Sequence, residues 1–129
     1  NGIEYGMMQA FAEGFDVLRR KSAFPYDLHQ VARLYSHGSV VTSRLNSWLE
    51  DGFKVFGNGL KGVSGSAVGT GEGKWTVKTA KSLGVPAPVI SASVAARVKS
   101  MKEPSFQGQV VMVMRNRFGG HDPNPKKKR

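Results

Sequence analysis

A chain of 129 residues, 40% of them hydrophobic, is sized for one domain with a sizeable core. It has no cysteine, which excludes disulfides and thiolate metal sites, and His29, His37 and His121 are too scattered for a local metal motif, so no metal is expected. The net charge of +10 favours anionic partners, either phosphate esters or nucleic acids, while the absence of a signal-peptide pattern or of any apolar run near the roughly 20 residues of a membrane span points to a cytoplasmic protein without a membrane partner.

The chain opens at Asn1, inside an apolar-periodic segment with no lead, and reads as a fragment or as the ordered part of a longer chain. Ile3, Met7, Phe11, Phe15 and Leu18 recur at spacings of three and four, which predicts a helix from Asn1 to about Arg20. The stretch Ser22 to Asp27, with Pro25, breaks it. Asp27 is the predicted N-cap of a short helix through about Ser36, with Leu28, Val31, Leu34 and Tyr35 inward. After Gly38, a third helix is expected over Ser39 to about Phe56, carrying Val40, Val41, Leu45, Trp48, Leu49 and Phe53.

Gly57 to Gly73 is glycine-rich and reads as irregular. A helix from Trp75 to Leu83 follows, ended by Gly84, with Trp75 read as a core residue. Val85 to Pro88 is extended, because proline disfavours helix in the residue before it. Val89 to about Met101 is helical by pattern, and Pro104 can open another helix from about Ser105 to Arg117. Val110, Val111 and Val113 would also suit a strand. Few segments alternate with period two, so the predicted fold is all-α, a helical bundle over residues 1–121 with a basic, proline-containing tail at 122–129. The tail block Lys126 to Arg129 reads as a solvated charge run.

Two glycine motifs fail on inspection. Gly57-Asn-Gly59-Leu-Lys-Gly62 fits G-x-G-x-x-G, but no helix follows it and positions 77–83 hold no acid. Gly71-Glu-Gly-Lys74-Trp75 resembles part of a P-loop, yet Val68 and Trp75 stand where glycine and a hydroxyl residue are required. What survives is a glycine-rich turn leading into a helix, which offers free N–H groups to an anion.

Asn1, Glu4 and Tyr5 share one helix face at i, i+3 and i+4, where an amide, a carboxyl and a phenol can meet a polar substrate. Such a face is also ordinary solvated surface, and Arg97 and Arg115 taken alone read as surface ion-pair residues. The wider sequence weighs against this. Asn1-Gly-Ile-Glu-Tyr-Gly-Met-Met-Gln9, His37-Gly-Ser-Val-Val41, Gly71-Glu-Gly-Lys-Trp-Thr76 with Gly84-Val-Pro86, Ser91-Ala-Ser-Val-Ala-Ala-Arg97 and Arg115-Asn-Arg-Phe-Gly-Gly-His121 stand in one order. Together they resemble the C-terminal domain of decarboxylating 6-phosphogluconate dehydrogenases, most of all the shorter, prokaryotic-type branch.

The resemblance implies a two-domain enzyme. A Rossmann domain, absent from this chain, would bind NAD or NADP. The helical domain would supply most of the site for 6-phosphogluconate and the interface of a homodimer. Glu4 matches the family's general acid, which protonates the enediol left after decarboxylation. Asn1 matches a hydrogen-bonding contact near the reacting carbons, Tyr5 a phosphate contact and Arg97 a phosphate-binding arginine. Arg115 and His121 match residues that reach the phosphate from the partner subunit, making a composite site. The family's catalytic lysine and histidine precede the segment that begins at Asn1. Thr70 and Glu72 stand where longer members carry a phosphate-binding lysine and threonine, and Glu72 would repel a phosphate there. Two readings compete: a basic nucleic-acid-binding module, resting on the charge, and another β-hydroxyacid dehydrogenase, resting on the shared two-domain plan.

Overall fold

The structure, a computed structural model, describes residues 1–21 and 23–125. The basic block Lys126 to Arg129 lies outside the described residues. Six helices follow in chain order: α1 (Gly2–Arg20), α2 (Leu28–Tyr35), α3 (Arg44–Phe56), α4 (Glu72–Ser82), α5 (Pro88–Lys102) and α6 (Phe106–Gly119). No strand occurs among the described residues, and the all-α expectation holds. α6 lies at the centre, with α1 on one side and α3 on the other; α2 covers α3, while α5 and α4 extend the array beyond α1.

Local chemistry sets the helix ends. The Asp27 carboxylate accepts from the backbone N–H groups of His29 and Gln30, capping α2 as predicted. Ser43 caps α3 by accepting from the Asn46 N–H, and Ser105 caps α6 by accepting from the Gly108 N–H. Gly84, at φ 66, closes α4: the Val85 N–H reaches the Ala80 carbonyl and the Gly84 N–H the Lys81 carbonyl, the paired bonds of a Schellman end.

Three expectations need correction. The third helix starts at Arg44, five residues later than expected, and Val40 and Val41 stand exposed in the turn before it. The Ser39 and Thr42 hydroxyls both donate to the Tyr35 carbonyl, and such side-chain bonds compete with the helical ladder. Leu34 is 68% exposed, because α2 presents Leu28 and Ala32 to the core and turns Leu34 away. Trp75 is 64% exposed rather than core: α4 begins at Glu72, buries Gly73, and leaves the indole outside, over Gly71.

The core joins Met8, Ala12 and Phe15 of α1, Leu45, Leu49 and Phe53 of α3, and α6. Every residue from Val110 to Arg115 is buried, which explains why the valine-rich segment could not be placed by periodicity: a helix covered on all sides shows none. Full burial of one such side chain contributes about 1.5–3 kcal/mol. Between α3 and α4 the irregular segment is anchored by Leu60, Val63 and Ala67, all buried. α6 approaches that segment so closely that a Cβ on Gly108 would meet the Gly65 carbonyl oxygen at 1.7 Å.

Candidate functional site

The start of α1, the turn before α4 and the middle of α5 meet around the ring of Tyr5. α1 buries Tyr5 with Met8 and Ala12, which fixes the phenol at the inner edge of the bundle. The Arg97 guanidinium of α5 lies 3.5 Å from the ring centroid, a close cation–π contact. The turn residues Gly69 and Gly73 both border this tyrosine. A Cβ on Gly69 would fall 2.7 Å from the phenol oxygen and one on Gly73 would fall 2.4 Å from the ring. The alternating glycines that resembled a nucleotide motif are therefore the means by which a backbone turn lies against an aromatic ring. Between them Gly71 takes φ 117, a left-handed conformation that disfavours any side chain.

Arg97 is 6% exposed and Arg115 is 7% exposed. Neither has a carboxylate partner among the described residues. Arg97 reaches the Met8 sulfur at 3.3 Å, and Arg115 donates to the Val68 carbonyl and lies 3.6 Å from the Met112 sulfur. Burial pushes both guanidinium groups down from their ordinary range; Tyr5, Glu4 and Glu72 act in the opposite direction on each, and Arg115 adds to the depression of Arg97. Arginine stays charged even so. Two buried cations without a directly paired carboxylate are costly. An arriving anion would relieve that cost.

The anionic groups nearby are few. Glu4 is half-buried and acts electrostatically on both arginines. Glu72 accepts a 2.5 Å hydrogen bond from the Thr70 hydroxyl; that bond, then its own backbone N–H, hold its carboxyl below the usual carboxylate range, and the two arginines add to this. A cavity of about 120 Å³ opens beside these groups, lined by Tyr5, Gly69, Gly71, Lys74, Arg97 and Met101.

Of the residues predicted from sequence, the structure brings Glu4, Tyr5, Arg97 and Arg115 together within one chain. Asn1 is exposed at the N-cap of α1, with its carbonyl accepting from the Tyr5 N–H and its side chain making no capping bond. Arg115, expected to act across a subunit interface, lies within electrostatic reach of Tyr5, Glu72 and Glu4 of its own chain. His121 packs edge-on to Phe118 and beside Gly119, and its carbonyl accepts from the Asn116 amide. No polar contact links it to Tyr5, Arg97 or Arg115 among the described residues. Sequence reasoning missed Lys74 as a cavity residue, although it sits inside a motif that had been singled out.

No group of three or more His, Asp or Glu side chains suited to a metal occurs among the described residues, and no helix there is long and apolar enough to cross a membrane. The Gly57–Gly62 segment follows a helix rather than a strand and leads into turns, so it lacks the geometry of a dinucleotide site.

"Putative 6-phosphogluconate dehydrogenase YqeC" of Bacillus subtilis (strain 168) is 46% identical over 121 residues, covering 94% of this chain and 40% of that relative. The NAD(+)-dependent, decarboxylating 6-phosphogluconate dehydrogenase of Haloferax volcanii is 35% identical over 122 residues, covering 95% of this chain and 40% of its own length. An NADP(+)-dependent, decarboxylating relative from Bacillus subtilis is 38% identical over 110 residues, covering 80% of this chain and 23% of its own. The chain thus spans about two fifths, or less, of these curated relatives. The family described as "6-phosphogluconate dehydrogenase, C-terminal domain" matches residues 1–116, from the start of α1 to within α6. With six helices and no strand over that match, this chain belongs to the 6-phosphogluconate dehydrogenase family, as its C-terminal domain.

Proposed function

We propose that this chain is the substrate-binding and dimerisation domain of an NAD- or NADP-dependent enzyme that converts 6-phosphogluconate to ribulose 5-phosphate and carbon dioxide. The observation that carries the reading is the pair of buried arginines, Arg97 and Arg115, set beside Tyr5 and Glu4 with no carboxylate bound to either. Their guanidinium forks suit the phosphate of a sugar ester. The Tyr5 hydroxyl, next to Gly69, is placed to donate to the same group. Asn1, one helical turn before Tyr5, offers its amide to the hydroxyls near the reacting carbons.

In the reaction, the C3 hydroxyl gives its proton to a base, by resemblance the family's lysine that precedes the segment beginning at Asn1, and C3 gives a hydride to the nicotinamide, leaving a β-keto acid. The C1–C2 bond breaks, carbon dioxide leaves, and its electron pair forms an enediol. Glu4, as the acid, returns a proton to the former C2, which becomes C1 of ribulose 5-phosphate. The hydride acceptor supplies oxidising power only. This chain's glycine segments do not fit a dinucleotide, so its site is assigned to the part of the protein beyond this chain. His121 is assigned to the phosphate from the partner subunit of a homodimer, as the resemblance implies.

Calorimetric titration of the chain with 6-phosphogluconate tests the reading. Saturable binding is expected, and the Arg97→Met, Arg115→Met double variant is expected to lose it, because each charge-assisted contact contributes about 1.5–3 kcal/mol. Unchanged binding in the double variant would remove the arginine pair from the site. A panel of other β-hydroxy acids in the same titration separates this substrate from those of related dehydrogenases.

A further inference from the structure

The first turn of α4 carries a charge that local helix physics does not explain. A helix N-terminus has unsatisfied N–H groups and partial positive charge, so acidic residues are favoured there. Glu72, the first residue of α4, follows that rule. Lys74, an exposed lysine two positions later in the same turn, opposes it. No compensating ion pair exists: the ion pairs among the described residues join Asp16 to Arg19 and Arg20, Glu103 to Lys99, and Asp51 to Arg117. The N-cap, Gly71, has no side chain to occupy the free N–H groups.

A second, independent observation lies across the cavity. Arg97 is buried, its side-chain hydrogen bonding among the described residues reaches only the Met8 sulfur, and it lines the same space as Lys74. Two cations from different helices, α4 and α5, therefore open onto one cavity floored by the Tyr5 ring. Glu72 stands in the same turn and within electrostatic reach of Arg97 and Arg115. Against Glu72 and Glu4, which both act on the two arginines, the arginines alone leave no net positive charge. With Lys74 added, the site carries an excess of one positive charge toward an arriving phosphate monoester.

We propose that Lys74 is a third cationic contact for the phosphate of the substrate and offsets Glu72 at that end of the site. The proposal rests on the reading of this cavity as the phosphate end. Without Lys74, an anion entering beside Glu72 meets a site with no excess positive charge.

The test is titration of the chain with inorganic phosphate, followed by phosphorus NMR. The wild type, Lys74→Met, Lys74→Arg, Lys78→Met and Arg97→Met are compared, with helix content checked by circular dichroism. Lys78 is an exposed lysine of α4 outside the cavity and controls for net charge. The expected result is a loss of about tenfold or more in affinity for Lys74→Met, substantial recovery in Lys74→Arg and near wild-type binding in Lys78→Met. Wild-type affinity in Lys74→Met while Arg97→Met loses binding would overturn the role of Lys74 and leave the phosphate reading intact. Equal losses in Lys74→Met and Lys78→Met would overturn it too, as a general charge effect. No phosphate binding by the wild type would overturn both.

Discussion

At the scale of single residues, the site depends on side chains that are missing as much as on those present. Gly73 has no room for a methyl group because Tyr5 lies behind it, at 2.4 Å from where a Cβ would stand. Gly73→Ala must therefore displace the Tyr5 ring or the α4 turn. The expected outcome is a loss of about 1–3 kcal/mol in urea denaturation, typical of overpacking, together with weaker phosphate binding, since the ring supports Arg97. A variant as stable as the wild type would mean that α4 shifts freely on α1. Gly14, where nothing lies within 4 Å of a Cβ, is the matching control on the same protein.

At the scale of the helices, Asp16 ties α1 to α6. Its carboxylate accepts from Arg19, Arg20 and the Gln107 amide of α6. Burial pushes the carboxyl up, but hydrogen bonds from Arg20, Gln107 and Arg19 outweigh it, and the net shift is downward. A carboxyl whose folded value lies below its unfolded one stabilises the protein above the unfolded value. That contribution fades as the pH falls below about 4 and through the folded value. Asp16→Asn is expected to cost about 1 kcal/mol at neutral pH, both arginines being partly exposed, and to flatten the acid limb of a stability-against-pH curve. An unchanged acid limb would assign the acid response to other carboxylates.

The same scale shows what could be read from the chain. α1, the Asp27 cap, the Gly84 stop and most of the irregular segment expected over 57–73 were legible, because each rests on short-range chemistry or on a one-sided apolar stripe. The last two residues of that segment instead open α4. The start of α3 was not, since Val40 and Val41 carry a helical pattern that the Ser39 and Thr42 hydroxyls override. Trp75 misled through its size, which usually signals burial. For the site, Glu4 and Tyr5 were legible as a shared helix face. The pairing of Arg97 with Arg115 was not legible from spacing, because it depends on how α5 and α6 pack beside α1. Lys74 escaped notice because a failed nucleotide motif had absorbed the turn that holds it.

At the scale of the whole molecule, one flank of α1 lacks a covering helix. Met7, Phe11, Val17 and Leu18 border an apolar groove of about 660 Å³ with Val40 and Val41 on its far bank. Val17 and Val40 are exposed. Contiguous apolar surface of this kind drives association. The isolated chain is expected to self-associate with rising concentration in sedimentation, and Val17→Glu with Val40→Glu is expected to restore the monomer without changing helix content. A monomer at every concentration would show that this flank does not associate by itself.

The burial of α6 also sets a timetable for the newborn chain. About a hundred residues separate the start of α1 from the start of α6. At cellular elongation rates that interval is roughly 5–20 s. Met8 and Phe15, which face α6 in the finished protein, wait in the open for that whole period. On a translating ribosome, holding chaperones are expected to bind this segment until Phe106 to Gly119 emerges, which ribosome-bound crosslinking would show. A chain stalled before Phe106 should remain protease-sensitive throughout, however complete its first five helices are in sequence.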